Sequence, residues 1–226
     1  SPGAKFDQIT VFEGKEGIGK SRAIEIMAGA ENFSDQRILT LDDRGQQEAV
    51  QGVWLYEVAD LAGISRAEVE SVKAFCSRTS DRARPAYGRS RVDRPRRCVF
   101  FGSTNNDTYL KAQTGNRRFW PVQTNRIDLD ALIRDRDQLW AEAAGIEATG
   151  VPLTLAQRFW GEASALQDER RDHDPWDEDL ATIERVHLKG KTHPTAYGSE
   201  YRIASRDVLD LVLRIPKERQ NDVTAK

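Results

Sequence analysis

Short apolar runs and longer amphipathic stretches alternate along the first half of the chain. Ile9, Val11 and Phe12 make a strand-like run that stops at Glu13, and Ser21–Ala28 beyond it read as a helix. Arg37–Leu41 predicts a second strand. Val53-Trp54-Leu55-Tyr56 is a continuous apolar run, the pattern of a buried strand, and it ends on a carboxylate, Glu57. Ser65-Arg-Ala-Glu68 is a capping box, opening a helix with Val69, Val72, Phe75 and Cys76 on a core-packing face. Lys73 on that helix is either functional or solvated. Cys98–Phe101 predicts one more buried strand, tipped by Gly102-Ser103-Thr104-Asn105. Strands alternating with helices predict an α/β core.

The second half reads as helical. Asp128–Ala148 predicts a long helix burying Leu129, Leu132, Ile133, Leu139, Trp140 and Ala143, broken at Gly150-Val-Pro152. Thr154-Leu-Ala-Gln157 is a second capping box, predicting a helix with Leu155, Phe159, Trp160, Ala163 and Leu166 inside. Asp172–Asp177 reads as a linker. Helices are expected at Glu178–Val186 and Ser205–Leu213, with turn-rich Lys189–Tyr201 between them. The predicted organisation is a core over 1–150, a helical extension over 151–186 and a small helical, winged-helix-like tail over 187–226 that lacks a convincing recognition helix. No internal repeat or low-complexity tract appears.

At 226 residues the chain can bury a full α/β core. Two cysteines and three histidines lack metal-ligand spacing, which argues against a disulfide scaffold or zinc module and points to a reducing cytoplasm. No run approaches membrane-spanning length and no signal peptide opens the sequence. The net charge of −2 means that nucleic-acid affinity must come from a local patch. Arg78–Arg97 supplies one, with eight arginines against Asp81 and Asp93. Pro85, Gly88 and Pro95 make it a loop or hairpin. Arg82, Arg84, Arg89 and Arg91 are candidates for phosphate contacts and Tyr87 for stacking on a base; the alternative is a solvated charged loop.

The chemistry lies between the predicted strands and helices. Gly14-Lys15-Glu16-Gly17-Ile18-Gly19-Lys20-Ser21 matches G-x-x-x-x-G-K-[ST], with a strand before it and a helix after it. Glycines let backbone N–H groups turn inward around phosphates, Lys20 reaches the β- and γ-phosphates, and the Ser21 hydroxyl serves Mg²⁺. Gly14, Glu16, Gly17, Ile18, Gly19, Lys20, Ser21 and Arg22 form the predicted ATP-binding set. Glu57 is the candidate to bind Mg²⁺ through water or to polarise the attacking water, with Asp60 as its helper, because Tyr56 stands where many such ATPases carry Asp. Asn105, with Thr104 as a weaker candidate, can orient that water and sense the γ-phosphate. Arg117 and Arg118 are either an arginine finger or structural salt-bridge partners beside a core Trp120.

Taken in order, these pieces resemble the superfamily 3 helicases of small viruses and mobile elements, a branch of the AAA+ ATPases. The chain looks more closely like the virulence-associated E family of phages, prophages and mobile islands. The resemblance rests on Glu13–Ser21, Trp54–Leu61, Lys73–Phe75, Thr79–Arg82, Arg84–Arg89, Arg94–Phe100, Thr104–Asn105, Thr114–Val122 and Gln138–Ala143. Lys15-Glu16 departs from the more usual Pro-Gln. The resemblance implies a three-layer AAA+-like core with a central, mostly parallel sheet and a helical C-terminal region. It also implies an ATP-driven translocase working as a homo-oligomeric ring, a hexamer, with single-stranded DNA in the pore. The hairpin would line the pore, Asn105 would be the sensor, and Arg117 or Arg118 would reach the neighbour's γ-phosphate. Members are often fused to a primase-like region, so this chain reads as the motor alone or as a member lacking that region. The competing expectation is a nucleotide-dependent DNA-binding or interference module that unwinds nothing. A small-molecule kinase would leave the basic hairpin unexplained.

Overall fold

The computed structural model describes residues 2–85, 88–111, 115–172, 194–195, 198–201 and 214. The chain divides into two compact units, 1–172 and 173–226. The first is built on five strands: β1 (Ile9–Glu13), β2 (Phe33–Ser34), β3 (Leu55–Val58), β6 (Val99–Thr104) and β7 (Phe119–Gln123). They pair in the order β2-β3-β6-β1-β7, and all four pairings are parallel. β4 (Ser80–Ala83) and β5 (Val92–Pro95) form a separate antiparallel hairpin inserted before β6.

Alternation along the strands sorts the two faces. Ile9, Val11, Tyr56 and Phe100 turn towards α3 (Arg66–Cys76), whose Val69, Val72, Phe75 and Cys76 are buried as the sequence predicts. The Ser65–Glu68 capping box is present in both directions. On the other face Phe12, Leu55, Val99 and Phe101 pack with Ile24, Met27 and Ala28 of α1 (Lys20–Ala28). The sheet is therefore covered on both sides, which is why its strands read as unbroken apolar runs.

Four expectations are corrected. Arg37–Leu41 is a 3₁₀ turn at Ile38–Thr40, not a strand; the strand is the shorter Phe33–Ser34. Lys73 is buried rather than solvated. α4 (Leu129–Ala148) has Asp128 as its N-cap but buries no residue. Leu129 and Leu132 are half-buried, whereas Ile133, Leu139, Trp140 and Ala143 are exposed. The helix lies against α1, held by the Trp140 indole N–H donating to Met27 O and by an edge-on contact with Trp54. The fourth concerns Thr154–Gln157: a 3₁₀ turn, Gln157–Phe159, capped by Ala156 without a side chain, leads into α5 (Trp160–Glu169). Phe159, Trp160 and Leu166 are exposed there, and the buried residue of α5 is Gln167.

Between Asp43 and Ala49 runs α2, capped by Asp42 and packed on β4. The second unit contains, among described residues, an antiparallel pair, β8 (Pro194–Thr195) with β9 (Gly198–Tyr201). The helices predicted at 178–186 and 205–213 lie outside the described residues. Among described residues no helix is long and apolar enough to cross a membrane.

Candidate functional site

The carboxyl ends of β1, β3 and β6 converge on one loop, the crevice where open parallel sheets bind ligands. Residues 14–19 leave β1 and enter α1 through Gly19, which is left-handed at φ 92° and caps the helix with no side chain. The first N–H groups of α1 are therefore left for a ligand, and the helix dipole makes them suited to an anion. Gly14 also sits at positive φ, and a Cβ there would lie 2.2 Å from Thr124 O, so only glycine fits. Two backbone bonds root the loop in neighbouring strand tips: Gly14 N–H donates to Thr104 O (3.2 Å) and Thr124 N–H to Glu13 O (2.7 Å).

Lys20 is buried, and its ammonium donates to Gly14 O (2.7 Å) and Lys15 O (2.9 Å). Burial pushes its pKa below the usual lysine value, opposed by the charges of Glu16 and Glu57. Ser21 Oγ donates to Glu57 Oε1 (2.7 Å), and Ser103 Oγ donates to the same oxygen (2.6 Å). Glu57 is 1% exposed, and its other oxygen, Oε2, has no hydrogen-bond partner among the described residues. An unpartnered buried carboxylate oxygen beside the Ser21 hydroxyl fits water or Mg²⁺, since leaving it bare is costly. Among described residues no three His, Cys, Asp or Glu side chains assemble a metal cage, so Mg²⁺ here would draw most of its ligands from phosphate and water. Ser103 was not singled out in the sequence; its signal was its place two residues before Asn105 at a buried strand tip.

The other predicted residues divide. Tyr56 is wholly buried on the opposite face from Glu57, its hydroxyl donating to Gln36 O (2.9 Å), so it is a core residue. Asn105 is exposed directly beyond Thr104, one residue from the carbonyl that holds Gly14. Ile18 is half-buried and Glu16 and Gly17 are exposed on the loop. Arg22 is exposed and paired with Glu25 (2.7 Å). Asp60 is exposed in a left-handed turn (φ 50°) that its own carbonyl closes by accepting Gly63 N–H; it makes no hydrogen bond to Ser21 or Glu57.

Arg117 and Arg118 behave differently from each other. The turn Asn116–Arg118 begins at left-handed Gly115 and precedes β7, whose Phe119 lies opposite Ile9. It therefore sits at the amino edge of the sheet, about 13 Å of strand from Glu13 at about 3.3 Å per residue. Arg118 donates to Ser77 Oγ (3.1 Å) and faces Asp7 (3.5 Å), a structural anchor. Lys73 reaches Asn116 Oδ1 (3.4 Å) and Glu70 (3.1 Å). Arg117 is exposed and makes no ion pair among the described residues. Trp120 is half-buried, edge-on to Phe6.

The basic hairpin is real, but its arginines are unequal. Arg96 is buried on Asp81 in a bidentate pair, donates to Phe75 O (2.7 Å) and lies over the Phe75 and Phe100 rings. The buried Gln47 amide staples the hairpin to α2 through Asp81 O and Val92 O. Arg78 stacks on Phe75, Arg82 faces Asp93 (3.7 Å), and Arg84 donates to Gly88 O (2.7 Å). Arg89, Arg91, Arg94 and Arg97 are exposed without a carboxylate partner among the described residues. Tyr87 lies outside the described residues.

Fold and site together define an α/β protein with a glycine-rich loop and a buried carboxylate at the carboxyl edge of a parallel sheet. The Virulence-associated protein E-like domain matches residues 1–172, the whole first unit, and the chain belongs to that family. No curated protein matches it. Among solved structures it is similar to the apo A form of the C-terminal region of NrS-1, at 12% identity and TM-score 0.50, over 79% of this chain and 46% of that one. A second structure of that region aligns at 10% identity and TM-score 0.44, over 78% and 44%. The chain thus spans under half the length of these solved chains, and the likeness concerns fold alone.

Proposed function

We propose that this chain is an ATP-hydrolysing motor domain that moves DNA during replication of a phage or mobile element, working as an oligomeric ring. The observation that carries the reading is the Ser21–Glu57–Ser103 cluster at the foot of the glycine-rich loop. The sheet order adds support: the strand tipped by Asn105 lies beside the loop strand and between it and the strand that carries Glu57, so all three tips meet at the loop. Membership of the virulence-associated protein E-like family supports a place in phage replication.

In this mechanism the amino end of α1 and Lys20 hold the β- and γ-phosphates, Lys20 exchanging its two carbonyl acceptors for phosphate oxygens. Ser21 would hold Mg²⁺, which neutralises charge on the phosphates when bound. Glu57 Oε2 takes the proton of the attacking water, and Asn105 orients that water. Arg117, at the far edge of the sheet from its own loop, serves a neighbouring subunit. Arg89 and Arg91 contact the DNA backbone.

The test is a calorimetric titration with ATP, then turnover with and without single-stranded DNA, then strand unwinding. The wild type binds and hydrolyses ATP; Lys20→Ala binds far more weakly and does not hydrolyse. A Lys20→Ala protein turning over at the wild-type rate overturns the loop assignment. ATPase activity without unwinding converts the reading to a nucleotide-dependent DNA-binding module.

A further inference from the structure

The last turn of α5 touches both ends of the functional machinery. Arg170, its C-cap, donates through Nε to Glu13 Oε1, and the Tyr109 hydroxyl donates to the same oxygen (2.7 Å). Glu13 is buried and immediately precedes the loop. Three residues earlier the buried Gln167 amide donates to Phe119 O (3.0 Å), and Phe119 directly follows Arg118. The backbone reinforces the first contact: Tyr109 and Leu110 N–H both donate to Arg170 O (3.0 Å), and Asp172 N–H donates to Leu110 O (3.2 Å).

We infer that this turn is a strut coupling the root of the phosphate loop to the turn that carries Arg117, with Glu13 as its positioning residue. The inference rests on the nucleotide-binding reading above. Glu13 and Phe119 stand at opposite ends of the paired strands β1 and β7. One helical turn, through the long arm of Arg170 and the shorter one of Gln167, reaches both. Tyr109 brings in the segment that follows Asn105, so the loop, the sensor tip and the arginine turn share one set of contacts. A nucleotide that shifts the loop root therefore shifts the arginine offered to a neighbour. Burial holds the Tyr109 hydroxyl well above its usual pKa, so it remains a donor to Glu13 through neutral pH.

Amide hydrogen exchange with a non-hydrolysable ATP analogue tests the coupling. In the wild type, nucleotide changes exchange over 115–120 as well as over the loop. In Glu13→Ala, which removes the oxygen that accepts both donors, the analogue still binds, because the phosphate-holding groups are untouched, but the change over 115–120 is lost. Tyr109→Phe keeps the buried ring and weakens the same response, which covers the case of a Glu13 variant that fails to fold. A merely structural role would alter exchange equally with and without nucleotide. A nucleotide response over 115–120 that persists in both variants overturns the strut, as does its absence in a wild type that binds the analogue. A wild type that binds no nucleotide instead overturns the reading beneath it.

Discussion

Replacing Glu57 with glutamine separates chemistry from architecture at the site. Glu57 Oε1 accepts hydroxyls from Ser21 and Ser103 at 2.7 and 2.6 Å, and an amide oxygen can accept both, so the loop keeps its shape. ATP affinity should then change by less than about tenfold, or about 1.4 kcal/mol. Oε2 is buried without a partner among the described residues, and in the proposed mechanism it is the atom that takes the proton. Losing a general base costs about 10²–10⁴ in rate, which is about 3–5 kcal/mol of barrier. The same change removes a poorly compensated buried charge and leaves a neutral amide, whose unmet bonding costs about 1–3 kcal/mol and less than the charge. Stability should rise by about 1 kcal/mol, shifting Tm by about 2–4 °C for a unit of this size. Coupled-enzyme turnover, calorimetric binding and a thermal melt on one preparation read all three quantities. Unchanged turnover refutes the base assignment and moves it first to Asp60. A fall in both turnover and Tm makes Glu57 a structural pin between α1 and β6.

Converting Arg89 and Arg91 together to alanine should lower the slope of log affinity for DNA against log salt by up to about 2, leaving ATPase without DNA nearly intact; an unaltered slope returns these side chains to solvent. Mixing Arg117→Ala with Glu57→Gln subunits should restore part of the activity that each lacks alone, since a finger in trans contributes about 10³–10⁵ in rate. No recovery in mixtures that co-assemble by mass would refute that role for Arg117. Burial holds the Cys98 thiol at about 11 and Cys76 higher still, so neither should react with a thiol reagent at pH 8 until the chain unfolds. Because these thiol pKa values are raised on folding, their contribution to stability is present below about pH 9 and is lost as pH rises towards 11, which denaturant melts at pH 8 and 10.5 can follow.

Elements whose pattern answers to the sheet itself were legible in the sequence. β1, β3 and β6 are covered on both faces, so each reads as an apolar run, and each run ends on the residue that meets the loop. α3 was equally legible, because its cap and buried stripe are local. Legibility failed where apolarity lacks a partner within the described chain. The stripes of α4 and α5 carry helical periodicity, yet Trp160 is 60% exposed and Leu139 48%. Periodicity shows which face is apolar, not whether anything covers it. Polar residues failed for the converse reason: Lys73, Arg96 and Gln167 belong to types that are mostly solvated. Each is buried because a partner distant in sequence meets it: Asn116, Asp81 and Phe119 O respectively.

That contrast sharpens the division of labour among the arginines. A guanidinium buried against a carboxylate and two rings, as Arg96 is, has its donors committed and cannot serve a phosphate without dismantling the hairpin base. Arg118 is committed in the same way, to Ser77 and Asp7. Among the described residues, Arg117 at the amino edge and Arg89, Arg91, Arg94 and Arg97 at the hairpin are exposed and make no ion pair. The adjacent arginines that spacing could not separate are thus separated by packing: Arg118 is tied to Ser77 and Asp7, whereas Arg117 is exposed, the side chain that the proposed finger role would use. On the proposed DNA-binding reading, Arg94 and Arg97 would join Arg89 and Arg91 as candidate phosphate ligands for the same reason, whereas Arg82 must first give up Asp93.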